Sequence, residues 1–203
     1  VCGPNAEGFL NTLMPLSATF SPAVTHLDCT LLPGHARGGG IGVVSQSGGV
    51  GFAFYDRGRP KELRFTYVVS MGNEAGLDSL DVVEYLVGDA ATQVVLMFLE
   101  GFRAPRRFTA VARAAARARK PLIVAKMGRS EAAARAAASH TASLAGSFRS
   151  YEAMFRHHGV ILADEIEQMV DLAAGFAYFG DRLPRGSRVG VLAASGGAAV
   201  WLS

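Results

Sequence analysis

His140 stands in Ser139-His140-Thr141-Ala142-Ser143-Leu144-Ala145-Gly146, where small neighbours leave an imidazole free to meet a reactive group. A core histidine would be bracketed by bulky apolar residues. A neutral imidazole is a competent nucleophile near pH 7, so transient carriage of a phosphoryl group is the chemistry this setting suits. Upstream, Ser45-Gln46-Ser47-Gly48-Gly49 has the composition of a phosphate cradle. Glycine lets backbone amides approach an anion closely, serine hydroxyls add donors, and a following helix would direct its N-terminal dipole at the charge. Glu100 ends the apolar run Phe98-Leu99-Glu100-Gly101, where its carboxylate could accept an imidazole N–H and orient the ring. The plainer readings are an ordinary strand-to-helix turn, a solvent-facing glutamate and a surface histidine. His26, His35, His157 and His158 have no comparable surroundings.

These residues need a scaffold, and the chain supplies an alternation of strands and helices. Ile41-Gly42-Val43-Val44 is a short apolar strand that runs into the serine–glycine turn and then a helix through Gly51-Phe52-Ala53-Phe54-Tyr55. Phe65 to Ser70 is rich in β-branched and aromatic residues and reads as a strand; Gly72-Asn73-Glu74-Ala75-Gly76 turns, and Asp78 caps a helix from Leu80 to Gly88. Val94 to Leu99 is a third strand. Pro105 opens a basic helix to Arg119 with Phe108, Val111 and Ala115 inward and Arg106, Arg107, Arg113 and Arg117 in a solvated stripe. Pro121 to Ala125 is a fourth strand, with a long segment to Gly146 before a helix containing Tyr151, Met154 and Phe155. Val160 to Leu162 and Ile166 to Phe179 complete a fifth strand–helix pair. Continuously apolar strands alternating with helices predict a parallel sheet covered on both faces. In such a sheet ligands sit outside the carboxyl ends of the strands, which is where the serine–glycine turn and Glu100 fall.

Half of the 203 residues are hydrophobic, so one sizeable core is expected. The net charge of +3 comes from scattered arginines; it permits attraction to small anions and does not call for nucleic acid. Cys2 and Cys29 are too few for a disulfide framework or a tetrahedral metal site, and no metal site is expected. With no signal peptide and no apolar run long enough to span a bilayer, the expected location is the cytoplasm, without a membrane partner. The chain begins at Val1 and stops at Ser203 within an apolar segment, which suggests a piece of a longer protein. Gly180 to Gly186 has linker composition. Arg188-Val189-Gly190-Val191-Leu192 with Ala193-Ala194-Ser195-Gly196-Gly197 then repeats the strand-plus-turn pattern of Ser45 to Gly49, as in tandem α/β domains.

Taken in order, Gly3-Pro4-Asn5-Ala6-Glu7-Gly8-Phe9-Leu10-Asn11, Ser45-Gln46-Ser47-Gly48-Gly49, Gly72-Asn73-Glu74-Ala75, Leu99-Glu100-Gly101, Lys126-Met127-Gly128-Arg129-Ser130 and Ser139-His140-Thr141 resemble the NDP-forming acyl-CoA synthetases, relatives of succinyl-CoA ligase. The resemblance implies a flavodoxin-like, doubly wound α/β domain over residues 36–180. Residues 1–35 would be the tail of a preceding CoA-binding domain with a linker, and 181–203 a linker with the first strand and turn of a second flavodoxin-like domain. Two positions depart from the family pattern. Ala142 stands where Gly is common, and Ala6 stands where Cys is common.

By the same resemblance His140 matches a phosphohistidine on a mobile loop, Glu100 the glutamate that steadies it, and Ser45, Gln46, Ser47, Gly48 and Gly49 the turn that holds the transferred phosphate. The implied reaction joins a small carboxylic acid to coenzyme A at the expense of ATP or GTP, releasing ADP or GDP and phosphate through an acyl phosphate. Coenzyme A, nucleotide and Mg2+ then belong to the complete enzyme, with none held tightly by this fragment alone. The implied partners are a CoA-binding domain and an ATP-grasp domain, on the same chain or another subunit, and homo- or hetero-oligomers are left open. A regulatory or scaffold region of a protein acetyltransferase is the alternative, which retention of both His140 and Glu100 weighs against.

Overall fold

The computed structural model of the chain describes residues 2–24, 37–130, 147–188 and 190–202. Its strands are β1 (Gly8–Asn11), β2 (Leu16–Thr19), β3 (Arg37–Ser45), β4 (Leu63–Ser70), β5 (Thr92–Leu99), β6 (Leu122–Lys126) and β7 (Ile161–Leu162), joined in one sheet in the order β2-β1-β4-β3-β5-β6-β7. From β4 to β7 all pairings are parallel. Among these five strands the spatial order is second, first, third, fourth, fifth, the doubly wound order of flavodoxin-like folds. The helices are α1 (Gly48–Gly58), α2 (Ser79–Gly88), α3 (Pro105–Arg117), α4 (Phe148–His157), α5 (Ile166–Phe179) and α6 (Gly196–Leu202). Each of the five expected strand–helix pairs is present.

Successive strand side chains point to opposite faces, and both faces are buried here. Ile41, Val43, Val94, Leu96 and Ile123 face Phe52 and Phe54 of α1 and Met169, Val170 and Ala173 of α5. Val44, Val95, Met97 and Val124 face α2, α3 and α4 through Leu80, Val83, Phe108, Val111, Tyr151 and Phe155. Burying a side chain of this size contributes about 1.5–3 kcal/mol, so the two layers fix the strand register and with it the carboxyl edge.

The described part of residues 1–35 lies on the same sheet. β1 pairs antiparallel with β4, with Leu10 opposite Val68, and β2 forms the outer edge beyond it. At the other end, Arg188 and Gly190 to Leu192 enter no strand, and Leu192 is fully exposed at 101%. A strand exists only through its ladder, and no described neighbour offers one. Asp78 caps α2 as expected, in a reciprocal capping box with Asp81. Arg107 departs from the expected solvated stripe. Its guanidinium binds Asp78 at 3.0 Å, Asp81 at 2.6 Å and Glu84 at 3.4 Å, because α3 presents it to the carboxylates gathered on the first turns of α2.

Candidate functional site

The strand order reverses between β3 and β5, and the first residues after both strands meet there. Gln46 N–H continues the ladder by donating to Phe98 C=O at 3.1 Å. The Gln46 side chain then reaches across the crevice. Its Oε1 accepts from Glu100 N–H at 2.6 Å and Gly101 N–H at 3.0 Å, and its Nε2 donates to Gly101 C=O at 2.8 Å. Gln46 therefore works as a clamp on the turn that carries Glu100, with its side-chain amide and its backbone N–H both engaged. Ser45 also turns inward: fully buried, its hydroxyl donates to Ser47 C=O and accepts Ser47 N–H at 3.2 Å. Gly51 permits this, since a Cβ there would lie 2.9 Å from the Cβ of Ser45.

Glu100 is not the solvent-facing glutamate of the plainer reading. It is 7% exposed, and its Oε2 is buried with no hydrogen-bond partner among the described residues. An unpartnered buried carboxylate oxygen is costly unless it serves an incoming donor. Lys126 closes β6 beside Leu99 of β5 and is almost as deeply buried. Its ammonium donates to Met127 C=O and lies 4.8 Å from the centroid of the Tyr151 ring, whose hydroxyl accepts from Phe102 N–H at 3.0 Å. Burial lowers the Lys126 pKa, and the charge of Glu100 opposes that shift. A carboxylate and an ammonium are thus buried at one sheet edge, and Lys126 feels the charge of Glu100.

The start of α1 supplies donors. Ser47 is its N-cap residue, in extended conformation, yet makes no side-chain capping bond. Gly51 N–H donates to Ser47 C=O at 3.2 Å, but the amides of Gly48, Gly49 and Val50 find no acceptor among the described residues. Three such amides at the positive end of a helix are donors with the polarity to receive an anion. Gly48 has to be glycine for a packing reason as well: a Cβ there would lie 2.8 Å from the Cβ of Glu7.

Two further segments converge on this edge. Gly3-Pro4-Asn5 is bound by the loop after β4, with Asn73 N–H donating to Pro4 C=O at 2.9 Å and Ala75 N–H to Gly3 C=O at 2.8 Å. Gly72 adopts φ +58, and a Cβ on it would strike Pro4 C=O at 2.3 Å, so only glycine fits. Glu74 is buried at 3% exposure and accepts from the Ser79 amide at 2.9 Å and from its hydroxyl. Burial pushes the Glu74 carboxyl above its ordinary value, and hydrogen bonds from Ser79 and Gln46 oppose the shift.

Of the residues singled out from sequence, the structure brings Ser45, Gln46, Ser47, Gly48, Gly49 and Glu100 together. His140 lies outside the described residues. Sequence reasoning passed over Glu7, Glu74 and Lys126 as individual residues, although each sits within a quoted motif. A charged side chain at the carboxyl end of a wholly apolar strand was the available signal for Lys126.

Strand order, two-sided burial and an open helix start at the switch point define a doubly wound α/β domain with a donor-rich carboxyl edge. The chain belongs to the succinyl-CoA ligase like flavodoxin domain family, whose profile matches residues 38–176. It is 36% identical over 98% of its length to the acetate–CoA ligase (ADP-forming) II subunit alpha of Pyrococcus furiosus, covering 40% of that protein. It is 42% identical over 84% of its length to the acetate–CoA ligase (ADP-forming) I of Archaeoglobus fulgidus, covering 23% of it. Among solved structures it is similar to the dinucleotide forming acetyl-coenzyme A synthetase 1 of Ca. Korarchaeum cryptofilum in complex with phosphate and ADP. That likeness has a TM-score of 0.82 at 36% identity over 98% of this chain and 40% of the other. The chain thus spans two-fifths or less of the length of these relatives.

Proposed function

We propose that this chain is the phosphoryl-carrying part of an NDP-forming acid–CoA ligase, which makes an acyl-CoA from a small carboxylic acid, coenzyme A and ATP or GTP. The observation that carries the reading is the pairing, through Gln46, of three open amides on α1 with the buried, unpartnered oxygen of Glu100. Amides stabilise a phosphoryl dianion; a carboxylate accepts an N–H and holds a ring. Together they suit a phosphorylated imidazole, and the family resemblance assigns that imidazole to His140.

In this proposal a ring nitrogen of His140 attacks the γ-phosphorus of the nucleotide; an N–P bond forms as the bond to the leaving diphosphate breaks. Glu100 accepts the N–H of the other ring nitrogen and stabilises the positive charge that develops on the ring. The amides of Gly48, Gly49 and Val50 hold the phosphoryl oxygens without having to reorganise. The carboxylate of the acid takes the phosphoryl group from nitrogen, and the sulfur of coenzyme A then displaces phosphate from the acyl phosphate. Gln46 holds Glu100 in place throughout and exchanges no proton.

Mg2+ is taken to accompany the nucleotide in the complete enzyme. A CoA-binding domain and an ATP-grasp domain, in the same chain or a second subunit, supply the two ends of the transfer. Residues 1–35 are read as the approach from the first of these, and 181–203 as the entry to a second flavodoxin-like domain. No helix among the described residues is long and apolar enough to cross a membrane.

The test uses the complete protein with ATP labelled on its γ-phosphate. Acid-labile label should appear on the parent and be absent from His140→Ala; equal labelling of the two would remove the proposal. Glu100→Gln should label at least tenfold more slowly, since an amide oxygen accepts the N–H but carries no charge.

A further inference from the structure

Glu7 places a second carboxylate at the open start of α1. Its backbone is pinned on both sides: the Glu7 N–H donates to Ser70 Oγ at 3.0 Å, and its C=O accepts from Thr19 Oγ1 at 2.7 Å. The side chain then lies over the first turn of the helix. A Cβ built on Gly48 would lie 2.9 Å from Glu7 Oε2, and one built on Gly49 would lie 3.9 Å from the same atom. Helical Cα–Cβ bonds tilt toward the N-terminus, so an oxygen near both positions sits on the N-terminal rim of the turn. Among the described residues no hydrogen bond or ion pair ends on this carboxylate. The positive end of the α1 dipole, which the same three free amides define, lies beside it.

The geometry points to Glu7 as a built-in competitor for that seat: a tethered anion that a phosphate must displace or tolerate, and that sets how tightly α1 keeps it. The inference rests on the reading of α1 as a phosphate seat. It adds a residue that tunes affinity at this seat and is neither nucleophile nor ring-holding carboxylate. A phosphoryl carrier has to release its group as readily as it receives it. A seat made only of amides would favour the bound state, and a fixed negative charge a few ångströms away offsets that in part.

The test is a titration of the complete protein, labelled with 15N-glycine, with inorganic phosphate at constant ionic strength and without nucleotide or coenzyme A. The amide signals of Gly48 and Gly49 report the seat directly. In Glu7→Gln these signals should reach half-saturation at a phosphate concentration about three- to tenfold lower than in the parent, as expected for removing one like charge near a dianion in partly screened surroundings. Glu7→Asp, with the charge drawn back by one methylene, should fall between the two. Equal half-saturation in parent and Glu7→Gln would overturn the inference. Weaker binding in Glu7→Gln would overturn it too, and so would signals that stay put in both proteins up to high phosphate. Failure of His140 phosphorylation would instead leave this titration unchanged, so the two readings fail separately.

Discussion

Two turns in this chain share one pattern, Ser45-Gln46-Ser47-Gly48-Gly49 before α1 and Ala193-Ala194-Ser195-Gly196-Gly197 before α6, and they end in different states. Ser195 closes its own helix: its hydroxyl accepts the Ala198 amide at 3.2 Å, the third amide of that helix. Ser47 holds the matching position and makes no such bond, leaving the Val50 amide open. The surroundings of the two turns account for the difference. In the first turn the buried Ser45 hydroxyl grips both backbone groups of Ser47, Gln46 is tied to the end of β5, and Glu7 lies against Gly48. In the second, Leu192 and Trp201 are exposed at 101% and 90%, and no residue within 4 Å would meet a Cβ on Gly196 or Gly197. A serine–glycine turn left to itself caps its helix. Held by its neighbours, it can present free donors.

The comparison can be broken most sharply at Gln46 and its counterpart Ala194. Gln46→Leu leaves the amides of Glu100 and Gly101 and the carbonyl of Gly101 without partners in a buried place, and should cost about 2–4 kcal/mol in urea unfolding. Ala194→Leu, at an exposed position, should change stability by less than about 0.5 kcal/mol. An equal cost at both positions would mean that Gln46 is not the clamp.

Next in size is Gly48→Ala. The 2.8 Å approach to the Cβ of Glu7 should make it destabilising by about 1–3 kcal/mol. Gly196→Ala, with open space around it, should be neutral or stabilise α6 by up to about 1 kcal/mol. Smaller again is the capping pair. Ser195→Ala should cost about 1 kcal/mol, read as faster hydrogen exchange at Ala198, whereas Ser47→Ala should leave exchange at Val50 as it was.

The smallest effect concerns the network behind the first turn and is confined to a pH range. Burial raises the Glu74 pKa above its ordinary 4.5, so the folded state takes up a proton more readily than the unfolded chain. The resulting stabilisation is complete below the ordinary value and is lost as pH rises through the raised folded-state value. Measured against Glu74→Gln, the parent should therefore lose stability over that interval. A difference that does not vary with pH would show that the carboxylate keeps its charge on folding.

Much of the scaffold was legible because it depends on short-range pattern. Apolar runs such as Val94 to Leu99 and the periodic face of Ile166 to Phe179 bury on both sides of a sheet wherever the chain places them. The hairpin β1–β2 was not legible: only Leu10 of β1 is buried, β2 has no buried residue, and the partner of β1 is β4, far along the chain. The role of Arg107 was hidden for the same reason, because its carboxylates belong to another helix. At the candidate site the residue types were legible and their directions were not. Ser45 and Gln46 read as phosphate ligands, and their side chains are engaged inside the protein.

By itself the sequence determined the alternation of strands and helices, the carboxyl-edge position of the serine–glycine turn and Glu100, and a set of ordered motifs pointing to one family. Tertiary structure decided which hydrogen-bonding groups at that edge are used and which remain open. The reason is physical: a donor is free only where no acceptor meets it in hydrogen-bonding geometry, and at this edge the positions of the acceptors are set by stretches far apart in the chain. The open amides of α1, the unpartnered oxygen of Glu100 and the carboxylate of Glu7 above Gly48 are all products of that long-range arrangement.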